Sequence, residues 1–300
     1  MSSDPELPSD AEIISALVGA RLVAAADAVH LERHPQNFRH RNGRRRITAR
    51  VRSDHRTLFH LTVGKALAQL HQQTEAFAKA QPAIACKPLF FGRTASFDFL
   101  AQEYFGQGNL EDGWLQKRID DRGWQAGAMA IKAQLRAGSQ PASQPDVMEE
   151  VNTLEQRLLA LGSSSLLDRR RLRSEVFPLI RAGAAAGPRR ATWTNGDFTT
   201  RNILFDGNGG FRLVDCEFAG TTYFEEIDWF RLQHFSTMPP TVNLSELSGI
   251  AKWPEWLEVL CWLQHALKLS EISVPDVIEL DFRTIAGHLA RLLQPCNKSS

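Results

Sequence analysis

The sequence predicts an α+β fold in two parts, a small sheet-plus-helix lobe and then a larger, mainly helical lobe. Three observations predict it. Extended segments rich in β-branched and aromatic residues cluster near the start of the chain around a single helical run. Apolar residues at helical spacing dominate the remainder of the chain. Inside that helical half, one Gly-rich turn separates two short apolar strands. A chain of 300 residues with 43% hydrophobic content can bury the core that such an arrangement needs, as one large domain or two lobes.

Taken in order, residues 1–10 are polar and expected to fray, and residues 11–23 read as a short apolar helix or a helix-strand entry. Residues 46–51 (Arg-Ile-Thr-Ala-Arg-Val) and 57–63 (Thr-Leu-Phe-His-Leu-Thr-Val) flank the turn-like Ser53-Asp54-His55, which predicts a β-hairpin. Helical spacing takes over at 65–79, with Leu67, Leu70 and Phe77 among Gln, Glu and Ala. Extended pieces at 88–91 and 97–104 surround Gly92-Arg93-Thr94 and complete the first lobe, residues 1–103. The second lobe, residues 104–300, opens with a helical stretch over 110–135 and a loop over 137–145. The next helix carries a stripe of Val147, Val151, Leu154, Leu158 and Leu161, and the stripe reads as core packing. The segment 255–270, with Trp256, Leu257, Leu260, Trp262, Leu263 and Leu267, reads as a buried helix and not as an aromatic cofactor box.

A net charge of +1 gives no reason to expect nucleic acid as an obligatory partner. Arginines do crowd residues 33–56 and 169–190, a pattern that fits either a solvated basic face or a channel for an anionic substrate. The four cysteines are far apart in sequence and form no Cys-x-x-Cys pair, so neither a zinc site nor a disulfide framework is predicted. An acidic, polar start and the lack of a long apolar run lead to the expectation of a cytoplasmic protein with no transmembrane segment.

The segment that carries chemistry interrupts the helical half. Ile203-Leu204-Phe205 and Phe211-Arg212-Leu213-Val214 are separated by Asp206-Gly207-Asn208-Gly209-Gly210, a strong hairpin signal. Pairing Phe205 with Phe211 and counting outward brings Asn202 opposite Val214 and beside Asp215, since facing positions lie roughly 5 Å apart. An amide oxygen and a carboxylate, with room left for phosphates and water, suit Mg²⁺. Asp197 lies on a loop after the extended residues 191–194, from which a second carboxylate can be aimed at the same space. There it can orient a substrate hydroxyl and accept its proton.

Asn-Gly-Asp-Phe-x-x-x-Asn-Ile-Leu-Phe followed by Leu-Val-Asp-Cys-Glu-Phe-Ala resembles the catalytic core of the aminoglycoside phosphotransferase and choline kinase-like family, over residues 191–232. The resemblance implies a bilobal protein-kinase-like fold, a nucleotide-binding first lobe and a catalytic, acceptor-binding second lobe. It also implies ATP- and Mg²⁺-dependent transfer to a hydroxyl of a small molecule or glycan. Asp197 then takes the catalytic-base position, Asn202 and Asp215 become the metal ligands, and Glu217 belongs to an Asp-x-Glu pattern. Asp228 resembles a helix-start acid that braces the catalytic loop, a reading compatible with a helix N-cap. By position, Glu103-Tyr104 corresponds to the interlobe hinge that meets adenine, and Glu75 to the acid that pairs with a phosphate-binding lysine.

The chain departs from that pattern at three places. Asn195 stands where the family usually has His. Thr62 stands where a strand lysine is expected, so that either Lys65 substitutes or the phosphate anchor has changed. No Gly-x-Gly-x-x-Gly loop is present, and residues 36–43 are the candidates to cover the phosphates. Arg201 reads either as a surface residue or as a contact to substrate or phosphate. Glu111, Asp112, Asp120, Asp121, Glu225 and Glu226 are the acids near the expected acceptor side, and their charge pattern selects no acceptor class. The departures motivate a second reading, a nucleotide-binding pseudokinase or interaction module without turnover.

Overall fold

Alternation of buried and accessible residues defines the first sheet: Ile47, Ala49 and Val51 on one strand and Phe59, Leu61 and Val63 on the next all turn inward. The computed structural model describes residues 7–24, 29–33, 46–53, 56–161 and 169–272, together with positions 286, 287 and 290. Strands β1 (Val29–Arg33), β2 (Ile47–Ser53), β3 (Arg56–Gly64), β4 (Pro88–Arg93) and β5 (Asp98–Glu103) form an antiparallel sheet in the order β1-β2-β3-β5-β4. The expected hairpin is β2–β3, in register from Ile47↔Val63 to Val51↔Phe59, with a bulge after Val51. The sequence pattern does not announce β1. The phosphate-covering candidates 36–43 lie outside the described residues.

Helix α1 (Asp10–Gly19) starts with a capping box between Ser9 and Glu12 and lays Ile13 and Leu17 on the sheet, against Val51, Val63 and Phe99. Helix α2 (Ala68–Ala80) begins later than the sequence pattern suggests. Ala66 takes a left-handed φ of 54°, and Asp98 Oδ2 accepts the Leu67 N–H at 2.9 Å, so the chain turns before it winds. Its Leu70 packs with Leu100 of the sheet, while Phe77 enters the core of the second half.

The second half contains α3 (Leu110–Leu115), α4 (Asp121–Arg136), α5 (Gln144–Ala160), α6 (Arg169–Arg171), α7 (Phe177–Ala185), α8 (Glu226–Phe235), α9 (Leu244–Ser248) and α10 (Glu255–Ile272). The helical stretch expected over 110–135 is two helices, because Lys117 adopts φ 57° and Asp120 caps α4 by accepting the Gly123 N–H at 2.8 Å. A π-helical turn, Leu172–Val176, joins α6 to α7. Short strands β6 (Gly108–Asn109), β7 (Gln140–Pro141), β8 (Arg190–Thr194), β9 (Ile203–Phe205), β10 (Phe211–Leu213) and β11 (Gly220–Thr222) make two small sheets, β10-β9-β6 and β11-β8-β7.

Two cores organise this half. One packs α5, α7 and α10, the last through Leu257, Leu260, Leu263 and Trp262, as the sequence pattern implied. The other gathers Trp124 and Ile131 of α4, Trp229 of α8, Phe198, and Ile203, Phe205 and Leu213 of the hairpin. The hairpin is therefore anchored from behind by buried side chains, each contributing roughly 1.5–3 kcal/mol of burial. Between the halves the chain passes through Gly106 at φ 79°, where a Cβ would stand 1.9 Å from the Phe205 carbonyl oxygen. Only glycine allows that approach. Among the described residues, no helix is long and apolar enough to cross a membrane.

Candidate active site

The β9–β10 hairpin has the register that its turn chemistry demands. Phe211 faces Phe205, Leu213 faces Ile203, and the Val214 N–H donates to the Asn202 carbonyl at 3.0 Å. Asp206 closes the turn, its Oδ1 accepting the N–H groups of Asn208 at 2.7 Å and Gly210 at 2.9 Å. Asn202 and the segment leading to Asp215 thus leave the open end side by side. Asp215 itself is left-handed, at φ 55°, a conformation that Asp tolerates and that recurs at functional sites.

The loop carrying Asp197 is fixed from the β8 side. Gly196, at φ 67°, passes so close to Phe218 that a Cβ would lie 2.3 Å from its carbonyl oxygen. The buried Asn195 accepts the Asp197 N–H on Oδ1 at 3.1 Å, an Asx turn that supports the loop without any imidazole. Thr194 Oγ1 accepts the Gly196 N–H at 2.9 Å and donates to Asp228 Oδ1. Asp228, fully buried, takes Lys132 Nζ on its other oxygen at 2.9 Å. It stands in the first turn of α8 but does not cap it, since the cap position is Glu225 and no side chain bonds there. Asp228 reaches the loop through Thr194.

Asp197 and Asn202 meet directly. Asn202 Nδ2 donates to the Asp197 carbonyl at 2.8 Å and to its Oδ2 at 3.3 Å. Two buried cations, which sequence reasoning missed, close on the opposite oxygen. Lys268 Nζ of α10 lies 2.5 Å from Asp197 Oδ1, and Arg231 Nη1 of α8 lies 3.1 Å from it. Both are distant in sequence and read there as ordinary residues of buried helices. Lys268 also sits over the Phe218 ring, 4.5 Å from its centre.

The charges set the ionisation of the group. Burial pushes the Asp197 carboxyl up, but Lys268 and Arg231 outweigh it and hold the pKa below the usual carboxylate value. Asp215 behaves oppositely. It remains open to water but lies deep among protein atoms, and this desolvation, followed by the Asp197 and Glu217 charges, raises it to about 6. Burial, with Arg231 nearby, lowers Lys268 to about 8. Glu217 is bound bidentately by Arg46, which stands just before β2 in the first half of the chain.

The other expected site residues lie elsewhere. Lys65 is exposed and makes no ion pair among the described residues. Glu75 is exposed and pairs with His71, one helical turn away. Glu103 ends β5, and Tyr104, whose ring lies 5.2 Å from that of His60, begins the connection to β6. Arg201 turns to Glu111, donating through Nε and Nη2 at 3.0 and 2.9 Å, and so pins the loop to α3. The acids expected near an acceptor have structural partners as well. Asp112 takes Asn109, Asp121 takes Trp114 and Thr241, Glu225 takes Arg136, and Glu226 takes Arg189.

No family model matches the sequence, and no curated protein matches it. Solved structures do. A choline/ethanolamine kinase family protein from Mesorhizobium loti is 17% identical, with a TM-score of 0.58 over 94% of this chain and 92% of the other. The choline kinase of Streptococcus pneumoniae is 13% identical, with a TM-score of 0.58 over 94% of this chain and 99% of the other. This chain has the kinase-like α+β fold of those proteins.

Proposed function

We propose that the protein is an ATP- and Mg²⁺-dependent phosphotransferase acting on a hydroxyl group of a small molecule or glycan. The observation that carries the reading is the constellation at the open end of the hairpin: Asn202 bonded to Asp197, with Asp215 beside them. The kinase-like fold supports it. In this reading residues 1–103 bind the nucleotide, with adenine against Glu103-Tyr104, and residues 104–300 hold the catalytic group and the acceptor.

The residues present suit a magnesium ion. Asn202 uses its Nδ2 on Asp197, which leaves its oxygen available, and no hydrogen bond or ion pair among the described residues engages the Asp215 carboxylate. Repulsion of Asp215 by Asp197 and Glu217 is what a divalent cation relieves. Asn202 and Asp215 would hold it, and the ion would neutralise charge on the transferring phosphoryl group. Asp197 is ionised at neutral pH. Arg231 and Lys268 fix its Oδ1, so Oδ2, which takes only the long bond from Asn202 Nδ2, would orient the acceptor hydroxyl and take its proton as the new O–P bond forms and the bond from the γ-phosphorus to the ADP oxygen breaks.

Incubation with radiolabelled ATP and a panel of aminoglycosides, amino alcohols and glycans tests the reading. Label transferred by the wild type and lost in Asp197→Ala supports it. Nucleotide bound without Mg²⁺ and never turned over, with no change in Asp197→Ala, identifies a pseudokinase instead.

A further inference from the structure

Arg46 is the described contact by which the sheet side reaches the loop after Asp215. Its Nη1 donates to Glu217 Oε2 at 2.8 Å and its Nη2 to Oε1 at 2.7 Å, a fork-to-fork pair whose side chains are only 14% and 19% exposed. The pair joins residues far apart in the chain, the entry to β2 and the segment just past the candidate metal ligand. A bidentate pair of this kind holds the guanidinium in one plane and one place.

That plane retains donors beyond those given to Glu217, and Arg46 Nε is buried with no hydrogen-bond partner. The pair with Glu217 holds the Arg46 guanidinium against the segment two residues past Asp215. Lys268 is already committed to Asp197, as is Arg231. Lys65, in contrast, stands exposed at the end of β3, and Glu75 is turned to His71. Among the described residues, the cation that reaches the segment just past Asp215 from the sheet side is therefore an arginine on β2's threshold and not a lysine on or after β3.

We infer that Arg46 is the phosphate anchor of the nucleotide, the N–H groups not given to Glu217 taking phosphate oxygens while Glu217 holds the guanidinium in position. The inference rests on the ATP-dependent reading of the same site. Planar, bidentate donation to phosphate is the chemistry in which arginine exceeds lysine, so the exchange keeps the charge and adds direction.

Titration of the full chain with Mg·ATP and, separately, with adenosine tests it. Arg46→Ala is expected to weaken Mg·ATP by about 10–100-fold, the loss of one or two charge-assisted hydrogen bonds, with adenosine affinity changed less than about 2-fold. Arg46→Lys should fall between the two, and Lys65→Ala should lose less than Arg46→Ala. The inference is overturned if Arg46→Ala binds Mg·ATP like the wild type, if it loses adenosine and Mg·ATP equally, or if Lys65→Ala shows the larger, phosphate-dependent loss. A wild type that binds neither ligand overturns the nucleotide reading itself, and the inference with it.

Discussion

The helical side and the sheet side of the candidate site are bonded very differently. On the helical side Asp197 touches Asn202, Lys268 and Arg231, its loop is tied to Thr194 and Asp228, and Asp228 is neutralised by Lys132. Lys268, Arg231, Asp228 and Lys132 are all buried. On the sheet side, among the described residues, Arg46 reaches the segment after Asp215 through its ion pair with Glu217, and Lys65 and Glu75 are exposed. The difference suggests a division of labour. A group that must stay within a fraction of an ångström of a reacting hydroxyl benefits from a rigid, over-determined setting. A phosphate-binding side that must open and close for nucleotide exchange benefits from few, reversible contacts.

Substitutions can break that comparison on either side. The largest effect is expected on the helical side, where Asp197→Ala should lower kcat by roughly 10²–10⁴-fold while Mg·ATP affinity holds, as read by paired transfer and binding assays. Loss of nucleotide affinity in step with kcat would mean that Asp197 belongs to the binding apparatus. Behind it, Lys132→Met leaves the Asp228 carboxylate buried and uncompensated, and should cost about 3–5 kcal/mol in urea unfolding. A cost near zero would remove the buried network from the account of the loop's rigidity.

Asp215 lies where the two sides meet, and its ionisation gives a sharper test. Desolvation first, and then the Asp197 charge, raise its carboxyl to about 6, so protons compete with the metal below that value. Mg²⁺-dependent nucleotide affinity should fall as pH drops from 7 to 5, and Asp215→Asn should weaken it by at least roughly 10–100-fold at pH 7. Affinity that is flat with pH and insensitive to the substitution would sink the ligand assignment.

Lys268 titrates in the opposite direction. Burial, with Arg231 next, lowers it to about 8, so the ammonium on Asp197 is present below pH 8 and lost above it. The wild type should show an alkaline fall in kcat near pH 8 that Lys268→Met lacks and Lys268→Arg moves upward. The same shift bears on folding. The unfolded lysine keeps its proton to higher pH, so this group's contribution makes stability rise between about pH 8 and the ordinary lysine value of roughly 10.4. The smallest effect belongs to Arg201→Ala, which should leave both substrate KM values within about 2-fold, because its guanidinium is spent on Glu111.

Much of this architecture was legible in order of locality. The β2–β3 hairpin, the α5 stripe and α10 announced themselves through period and turn residues. The β9–β10 register came from one Gly-rich turn, and with it the neighbourhood of Asn202 and Asp215. Elements with weaker periodicity gave no such signal. β6, β7 and β11 are strands of two or three residues paired with segments distant in sequence, and β1 joins β2 across a long connection. The break between α3 and α4 depended on one left-handed Lys117 and one capping Asp120.

By itself the sequence determined the motif and its local geometry, because a tight hairpin leaves no freedom in which residues face each other. Only the tertiary structure decided which charges govern that geometry. Lys268 and Arg231 reach Asp197 from α10 and α8, Lys132 reaches Asp228 from α4, and Arg46 reaches Glu217 from the sheet. Nothing in the local sequence around those lysines and arginines marks them as partners of these acids. Packing of whole elements, through cores that bury Phe198, Trp229, Leu263 and Val51, brings them to their partners, and no local pattern records that long-range choice.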